Sequence, residues 1–490
     1  MLYIGIDLGT SSVKIILVDE KGNKLASVTK HYPVEYPKPG WSQQNPEDWY
    51  NGVITGLEEL LIGQDKSKIA GLGVAGQMHG LVILDEEDNI IRPAILWNDG
   101  RTEEQVEYLN NQIGKDVLSN SVANIAFAGF TAPKILWLRE NEPENFAKIH
   151  KIMLPKDYIV YRLTGIFVTD FSDASGMLLL DVKNRCWSDK MCEVCFVKKE
   201  WLPKLCDSKD RVGFVREEYA YLFGEHEVAV VAGAGDNAAA AIGTGCINDG
   251  ACNISLGTSG TIFIVSDNFG VDNNNALHSF AYAEGRYHLM GCLLSAASCA
   301  SWWLEILNTN NYDSEFSDMK NMLGENQVYF LPYLMGERSP INDVNARAGF
   351  VGMNAATTRK EMCLAVLEGV AFALRDCLEV ARKLEINVNV STCCGGGSRI
   401  KIWPKILSNV LGIDINLPAT QEGPSLGAAM LAMVACGEYE SLSGACTSIV
   451  KISKSIKPEK KIMDKYNKKY KKFSKIYPAL RDVFSLIIHM

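Results

Sequence analysis

The stretch Ile6-Asp-Leu-Gly-Thr-Ser-Ser-Val-Lys-Ile15 returns about half the chain later as Ile254-Ser-Leu-Gly-Thr-Ser-Gly-Thr-Ile-Phe263. Each copy has an apolar segment on either side of a Gly-Thr-Ser turn, the pattern of a β-hairpin. A second Gly-Thr-Ser tripeptide by itself could arise by chance. Matching strands around the same turn in both halves instead predict two domains of similar topology.

A glycine- and alanine-rich helix follows each hairpin at a comparable place. The first follows a strand end and a glycine turn in Val231-Ala-Gly-Ala-Gly-Asp-Asn-Ala-Ala-Ala-Ala-Ile-Gly243, and the second is Gly423-Pro-Ser-Leu-Gly-Ala-Ala-Met-Leu-Ala432. Paired hairpins and paired helices predict an α/β protein of two domains, 1–245 and 246–490, that face each other across a cleft.

Composition sets the broad class of the protein. A chain of 490 residues is too long for one ordinary core, and 47% hydrophobic with 22% charged residues is typical of folded globular proteins. The formal net charge of −9 argues against a nucleic-acid-binding surface. No apolar run approaches the ~20 residues of a membrane span, and we expect no export signal. Fourteen irregularly spaced cysteines indicate a reducing compartment. We therefore expect a cytoplasmic protein without membrane partners.

Asp236 is the acid at the glycine turn of the first repeat helix. A carboxylate at a helix start between two halves of a chain is well placed to act as a catalytic base on a substrate in the cleft. Aspartate is also a common helix cap, and on this stretch alone the cap is the better interpretation.

The two Gly-Thr-Ser turns suit phosphate groups, because such turns expose backbone N–H groups and hydroxyls at one point. Asp7 precedes the first turn, whereas Ser255 occupies the matching position of the second. Mg²⁺ bound to ATP needs only one or two protein carboxylates, and Lys14 could add a positive charge. For either turn alone, an ordinary hairpin is the simpler interpretation.

Further along, three more loops carry candidate binding groups. The consecutive glycines of Thr392-Cys-Cys-Gly-Gly-Gly-Ser-Arg-Ile-Lys401 let a flat ligand such as adenine approach the backbone, unless they only make a turn. Gln77-Met-His79 and Trp97-Asn-Asp99 each follow a strand end, and together they offer the polar groups and apolar wall that a polyhydroxy compound requires.

Two longer motifs resemble the signatures of the FGGY carbohydrate kinases. They are Gly129-Phe-Thr-Ala-Pro-Lys-Ile-Leu-Trp-Leu-Arg-Glu-Asn141, and Ala348-Gly-Phe-Val-Gly-Met353 running on to Glu361-Met-Cys-Leu-Ala-Val-Leu-Glu368. The resemblance extends from Asp7 to about Ala435. It implies two actin-like, ribonuclease-H-type domains around a central cleft that closes over ATP and a sugar, in agreement with the repeat.

Shorter motifs suggest the substrate. Gln77-Met-His-Gly80, Trp97-Asn-Asp-Gly-Arg101 and Gly336-Glu-Arg-Ser-Pro340 resemble those of family members that phosphorylate D-xylulose, although Ala234 and Ser339 depart from the commoner pattern. The resemblance implies transfer of a phosphoryl group from ATP to D-xylulose, giving D-xylulose 5-phosphate for xylose catabolism. Ribulose, gluconate or a related polyol as substrate, and a non-catalytic sensor of the same fold, are the alternatives.

The resemblance also implies a role for individual residues. Asp236 would be the general base and Asp7 the Mg²⁺ ligand. The sugar would contact Met78, His79, Asn237, Trp97 and Asp99. The nucleotide would contact Thr10, Ser11, Ser12, Lys14, Gly257, Thr258, Gly396, Gly397 and Lys401. We further expect the domains to close on hinges near residues 243–248 and in the segment that begins at Gly423.

Residues 451–475 contain eleven lysines and only two acids. A nucleic-acid-binding tail is one interpretation of such a segment. Apolar residues at helical spacing, namely Ile462, Tyr466, Tyr470, Phe473 and Tyr477, favour instead an amphipathic helix docked on the second domain, with the lysines on its solvated face. The oligomeric state stays open, with a homodimer as one option.

Overall fold

The computed structural model describes residues 1–420 and 422–488. The strands of the first half are β1 (Leu2–Leu8), β2 (Ser12–Asp19), β3 (Lys24–His31), β4 (Gln43–Gln44), β5 (Ile69–Gly76), β6 (Val82–Leu84), β7 (Ala94–Ile95), β8 (Lys151–Met153), β9 (Val168–Asp170), β10 (Leu180–Asp181), β11 (Cys186–Trp187), β12 (Lys204–Cys206), β13 (Arg211–Phe214), β14 (Ala229–Val231) and β15 (Ala234–Gly235). Its helices are α1 (Pro46–Leu60), α2 (Glu103–Glu107), α3 (Lys115–Val122), α4 (Thr131–Asn141), α5 (Pro143–Ala147), α6 (Pro155–Thr164), α7 (Phe171–Ala174), α8 (Asp189–Val194), α9 (Ala220–Phe223) and α10 (Asp236–Gly243).

The second half has fewer and longer elements. Its strands are β16 (Ala251–Leu256), β17 (Gly260–Ser266), β18 (His278–Ala281), β19 (Tyr287–Leu293), β20 (Tyr329–Leu331), β21 (Gly349–Val351), β22 (Val390–Cys394), β23 (Asp414–Pro418) and β24 (Ile452–Ile456). Its helices are α11 (Ala297–Ile306), α12 (Tyr312–Glu315), α13 (Arg359–Lys383), α14 (Trp403–Leu411), α15 (Gly423–Ala435), α16 (Leu442–Ile449) and α17 (Lys460–Ile488). Among the residues described, no helix is long and apolar enough to cross a bilayer.

The two large sheets share one design. In the first, antiparallel strands β3, β2 and β1 continue into β5 and β14, which run parallel to β1. In the second, antiparallel strands β19, β17 and β16 continue into the parallel strands β22 and β23. The repeated hairpin is thus the same pair of strands in each sheet. The predicted pair of ribonuclease-H-type domains is confirmed.

Helices α10 and α15, the predicted helix pair, pack directly against each other. A Cβ added at Gly243 would lie 2.0 Å from the carbonyl oxygen of Gly423, and one at Gly427 would lie 1.9 Å from that of Ala239. Only glycine allows the backbones to approach so closely. Both predicted hinge segments meet at this crossing. Movement of the domains about this point stays a prediction.

Helix α15 also packs on the first sheet, although it belongs to the second half of the sequence. A Cβ at Gly5 of β1 would meet the carbonyl oxygen of Ser425 at 1.8 Å, and one at Gly73 of β5 would meet that of Ala428 at 2.1 Å. The second half therefore crosses back onto the first sheet. The domain boundaries 1–245 and 246–490 stay a prediction. The packing does not follow them strictly, because α15 of the second half lies on the first sheet.

The lysine-rich segment contains the predicted helix, preceded by a strand that the sequence pattern did not reveal. Strand β24 pairs with β23 at the edge of the second sheet. Helix α17 then docks on α13, with Tyr466 and Phe473 buried and the ring of Phe473 5.0 Å from that of Phe372. The expectation that the lysines form a solvated face is wrong for Lys469, which is buried against Glu368.

Candidate functional site

The two hairpin turns each present half-buried or exposed polar groups at the ends of their strands. In the first turn, the backbone N–H of Gly9 donates to the carbonyl oxygen of Ser12 at 3.0 Å. The second turn is fastened to the start of α11, because the Thr258 carbonyl oxygen accepts from the Ala296 N–H at 2.9 Å and from the Ser298 hydroxyl at 2.7 Å. The predicted phosphate-binding residues Thr10, Ser11, Ser12, Gly257 and Thr258 all lie in these turns.

Beside the second turn lies a cavity of about 1240 Å³, large enough for a nucleotide. The predicted nucleotide-binding residues Gly257, Thr258, Gly396, Gly397 and Lys401 all line it. The Lys401 ammonium is exposed, 3.6 Å from a carboxylate oxygen of Asp313. Two aromatic side chains without a predicted role, Trp302 and Tyr312, add flat apolar faces to the wall.

The glycine run after β22 has the close approach that its sequence predicts. A Cβ at Gly397 would lie 2.8 Å from the side chain of Leu256 and 2.9 Å from the ring of Trp403, whereas one at Gly396 would meet nothing within 4 Å. At position 397, close packing therefore requires glycine. At Gly396, the backbone is left open on the side of the cavity.

Asp7 and Asp236 are two half-buried carboxylates that lie near each other. Asp7 is in β1, opposite Lys14 of β2, and Asp236 is the first residue of α10. Burial raises the pKa of Asp236 to about 6. Burial and then the charge of Asp236 raise the pKa of Asp7 to about 7, in spite of the opposing charge of Lys14. The two acids therefore lie within electrostatic reach of each other.

The helix-cap interpretation of Asp236 is wrong in this structure. The N-cap of α10 is Gly235, which makes no side-chain cap bond. The Asp236 carboxylate instead accepts hydrogen bonds from its neighbour Asn237, at 2.7 Å from the backbone N–H and 2.9 Å from Nδ2. Both bonds stabilise the ionised form and so lower the pKa against the effect of burial.

Behind Asp236, a buried polar network holds the glycine turn in place. The Lys156 ammonium lies 2.6 Å from Asp157 and 3.0 Å from Asp170. Ser172 donates to Asp170 and accepts from the N–H of Gly235, directly before the catalytic candidate. Sequence analysis assigned no role to these residues; the local signal for them is the charged pair Lys156 and Asp157 in the first turn of α6.

Lys14, predicted to contact phosphate, is paired with an acid from the other half of the chain. Its ammonium forms a salt bridge with Glu422, which also holds Lys24 at 2.7 Å. Lys14 must leave Glu422, or share it, to reach a phosphate oxygen. Its role in nucleotide binding stays a prediction.

On the sugar side, His79 lies next to the buried Met78 with its ring nitrogen Nδ1 2.7 Å from the carbonyl oxygen of Gly176. Because a carbonyl oxygen only accepts, Nδ1 carries the hydrogen and Nε2 keeps a lone pair. Burial, helped by the charges of Lys134 and Arg338, lowers the pKa of His79 to about 3. His79 is therefore a neutral hydrogen-bond acceptor at physiological pH.

Trp97 and Asp99 differ in what they offer a ligand. Trp97 is exposed, with its indole N–H donating to the Thr10 hydroxyl at 3.0 Å, so it joins the sugar side to the first phosphate turn. Asp99 is buried, and its oxygens accept from the Arg101 guanidinium, the Arg101 N–H and the Ser42 N–H. These bonds hold the loop in place, and the sugar contact of Asp99 stays a prediction.

The Asp7 carboxylate, the predicted ligand, fits a Mg²⁺ ion. Carboxylate oxygens are hard ligands, and a divalent cation would relieve the repulsion between Asp7 and Asp236 that raises the pKa of Asp7. Within residues 1–420 and 422–488, no cluster of three or more His, Cys, Asp or Glu forms a metal centre. One carboxylate suits a Mg²⁺ ion that takes its remaining ligands from phosphate oxygens and water.

Comparison with known proteins gives one family for both halves. Residues 2–243 match the N-terminal domain, and residues 252–436 the C-terminal domain, of the FGGY family of carbohydrate kinases. A xylulose kinase of Escherichia coli (strain K12) is 40% identical over 444 residues, 90% of this chain and 91% of the relative.

Solved structures agree over the whole length. The crystal structure of a xyloylose kinase from Brucella ovis superposes with a TM-score of 0.94 at 36% identity, covering 99% of this chain and 100% of the other. A gluconate kinase from Lactobacillus acidophilus also gives a TM-score of 0.94, at 28% identity, covering 99% of both chains.

Proposed function

The chain belongs to the FGGY family of carbohydrate kinases, and on that basis we propose that it transfers the γ-phosphoryl group of ATP to O5 of D-xylulose. The products are D-xylulose 5-phosphate and ADP. The observation that carries the chemistry is Asp236, a half-buried acid at the start of α10 whose charge acts on Asp7, the acid next to the first Gly-Thr-Ser turn. The choice of sugar is supported by the relative that is 40% identical over 90% of the chain, a xylulose kinase.

Asp236 acts as general base in this reaction. It takes the proton of the sugar hydroxyl while O5 forms a bond to the γ-phosphorus, the bond from that phosphorus to the bridging oxygen breaks, and ADP leaves with the electron pair. A pKa near 6 keeps the carboxylate ionised at neutral pH yet basic enough to accept a proton. Asn237 holds the carboxylate through two hydrogen bonds and so fixes its direction.

The rest of the machinery positions the phosphates, since phosphoryl transfer leaves little covalent work to protein groups. Thr10, Ser11, Ser12, Gly257 and Thr258 would donate hydrogen bonds to the phosphate oxygens from both sides of the cleft. Asp7 would hold Mg²⁺, which when bound neutralises charge on the phosphates. Lys14 would supply a further positive charge after leaving Glu422.

The sugar would lie between the first turn and the loops after β5 and β7. His79 would accept a hydrogen bond from a sugar hydroxyl through Nε2, and Asn237 would contact the hydroxyl beside Asp236. Trp97 and Met78 supply apolar surface for the carbon chain. Asp99 supports this wall indirectly, by holding Arg101 and Ser42.

We place the enzyme in the cytoplasm, where ATP is available and cysteines stay reduced. All fourteen cysteines are free thiols, which agrees with that environment. A homodimer is compatible with the proposed activity, and sedimentation of the purified chain tests it.

A coupled ADP-release assay with an acceptor panel tests the proposed function. The panel contains D-xylulose, D-ribulose, L-ribulose, gluconate and glycerol, each with Mg²⁺ and ATP. We expect the highest kcat/KM for D-xylulose. A higher value for gluconate, the substrate named for one structural neighbour, would overturn the choice of sugar, and no turnover of any acceptor would favour a sensor.

A further inference from the structure

Arg338 is a charged residue in the cleft to which the mechanism above gives no task. It lies in the loop 336–340, between β20 and β21, and two anchors fix that loop. The N–H of Ser339 donates to the carbonyl oxygen of Cys292 at 3.0 Å. The Glu337 carboxylate accepts from the N–H groups of Leu294 and Arg338, both at 2.8 Å. The loop is thereby fastened to the end of β19, and the position of Arg338 is set by the second sheet.

From this anchor, the Arg338 side chain reaches across to the first half of the chain. Its guanidinium carbon lies 5.2 Å from the centre of the Phe127 ring. A continuous aromatic cluster leads from there to the sugar side: Phe127 is 5.8 Å from Phe130, and Phe130 is 4.9 Å from the ring of His79. The charge of Arg338 contributes to the lowered pKa of His79, so the guanidinium and the imidazole share the cleft.

No acid forms an ion pair with this arginine within residues 1–420 and 422–488, although its charge opposes the effect of burial on the pKa of Glu337 and its side chain contacts the Cys292 thiol. Its guanidinium forms no salt bridge there, and its side chain is only half-buried. A guanidinium carries five N–H donors and no acceptor. Hydrogen bonds from such donors are about twice as strong as neutral ones, so a half-buried arginine that faces a cleft favours a ligand with acceptor oxygens.

The chemistry of the sugar requires a donor at one particular place. A 2-ketopentose that closes to a furanose uses O5 as its ring oxygen, so O5 is a free hydroxyl only in the open chain. The open chain exposes the C2 ketone, whose oxygen accepts hydrogen bonds and cannot donate. His79 presents an acceptor, Nε2, and Asp236 with its neighbour Asn237 lies at the C5 end. The ketone therefore needs a donor that these residues do not supply.

We propose that Arg338 donates hydrogen bonds to the C2 ketone oxygen of the open-chain sugar and thereby makes the site selective for ketoses over the corresponding polyols. Arg338 binds the end of the substrate away from the reacting hydroxyl, so it determines specificity and takes no part in proton transfer. Because this role presupposes the proposed kinase activity, the test first establishes turnover of D-xylulose by the wild type.

The test compares D-xylulose with xylitol and D-arabinitol, the two alcohols that differ from it by reduction of the ketone. In Arg338→Met we expect the KM for D-xylulose to rise about 10- to 100-fold, the loss typical of a charge-assisted hydrogen bond. The inhibition constants of xylitol and D-arabinitol should change less than about twofold, because neither has a ketone. Arg338→Lys keeps the charge and should recover part of the affinity for D-xylulose.

Arg347→Met is the matched control, since the Arg347 guanidinium donates to the nearby carbonyl oxygens of Val344 and Ala346 and forms no salt bridge with the residues that the structure describes. It should leave the KM for D-xylulose unchanged. Binding of ATP by calorimetry and an unchanged melting temperature show that Arg338→Met is folded.

Two outcomes overturn the inference in distinguishable ways. If Arg338→Met weakens the binding of D-xylulose and of both alcohols equally, or changes the binding of none of them, the proposed role of Arg338 is contradicted and the proposed kinase activity is not. A wild type that phosphorylates an acceptor without a ketone, and not D-xylulose, contradicts the proposed function as well.

Discussion

Two opposing influences act on the Asp236 carboxylate. Burial disfavours its charged form, while the two hydrogen bonds from Asn237 favour it, and the result is a pKa of about 6. The balance suits a base, because a carboxylate with an ordinary pKa near 4 would accept a proton less readily at neutral pH. Asn237 thus tunes Asp236 as well as orienting it.

The pH dependence of turnover reports this balance. Since the base must be ionised, kcat/KM for the sugar should fall about tenfold per pH unit below pH 6. Asn237→Ala removes the Nδ2 donor that stabilises the carboxylate, so the pKa of Asp236 rises and the acidic limb moves to higher pH. Initial rates at saturating Mg²⁺ and ATP between pH 5 and pH 8 measure the position of the acidic limb in both proteins. An acidic limb at the same pH in both proteins would contradict this assignment.

At the level of helices, the close crossing of α10 and α15 requires glycines, which have no side chain, at the contact points. Gly427→Ala would place a methyl group 1.9 Å from the Ala239 carbonyl oxygen, so the helices must separate. We expect a loss of about 1–3 kcal/mol in stability, larger than the helix-propensity gain of about 1 kcal/mol from glycine to alanine. Thermal melting measures it. Gly349→Ala, where the new methyl meets nothing within 4 Å, is the control, and equal melting temperatures for the two variants would be contrary to this expectation.

The buried pair of Lys469 and Glu368 fastens α17 to α13. Glu368 also accepts from the Tyr466 hydroxyl at 2.9 Å, and burial raises its pKa in spite of Lys469. Lys469→Met leaves this carboxylate without its cation and should destabilise the protein by about 3–5 kcal/mol at pH 8. The loss should shrink towards pH 5, because a protonated Glu368 needs no cation.

Urea unfolding at the two pH values measures this dependence on Lys469. Lys468→Met removes an exposed lysine from the same helix and should change little. The double variant Lys469→Met/Glu368→Gln should recover stability at pH 8. A pH-independent loss in Lys469→Met would exclude the electrostatic explanation.

For the molecule as a whole, the cleft must exclude water when the phosphoryl group is transferred, since water would otherwise consume ATP. Lys14 and Lys24 of the first half already meet Glu422 of the second, close to the α10–α15 crossing. We expect D-xylulose together with a non-hydrolysable ATP analogue to lower the radius of gyration in small-angle scattering, and the analogue alone to lower it less. An unchanged radius with both ligands would argue against hinged closure.

The sequence was most informative where a pattern repeats. Two hairpins around Gly-Thr-Ser turns were enough to predict two sheets of one topology, because hairpin turns and alternating strands are local features. Strand β24 was missed because its two serines and Lys454 are typical of solvated surface, and pairing with β23 is what makes this segment a strand. Long-range packing likewise sends α15 back onto the first sheet, which no local pattern reveals.

For the site residues too, local motifs were predictable from the sequence and long-range partners were not. Motifs pointed to Asp7 near the end of β1, to Asp236 at the start of α10 and to the two Gly-Thr-Ser turns, since each is marked by the local sequence. They could not show that Asp99 is occupied by Arg101, or that Lys14 is held by Glu422, because both depend on partners distant from the motif or on loop geometry.

The most direct test of the account is the turnover of D-xylulose by Asp236→Asn, with D-xylulose 5-phosphate quantified by ³¹P NMR and ATP binding measured by calorimetry. Loss of the base should lower kcat by about 10²- to 10⁴-fold, while ATP binds about as tightly as in the wild type. A kcat close to that of the wild type would contradict the claim that Asp236 deprotonates the sugar in front of ATP.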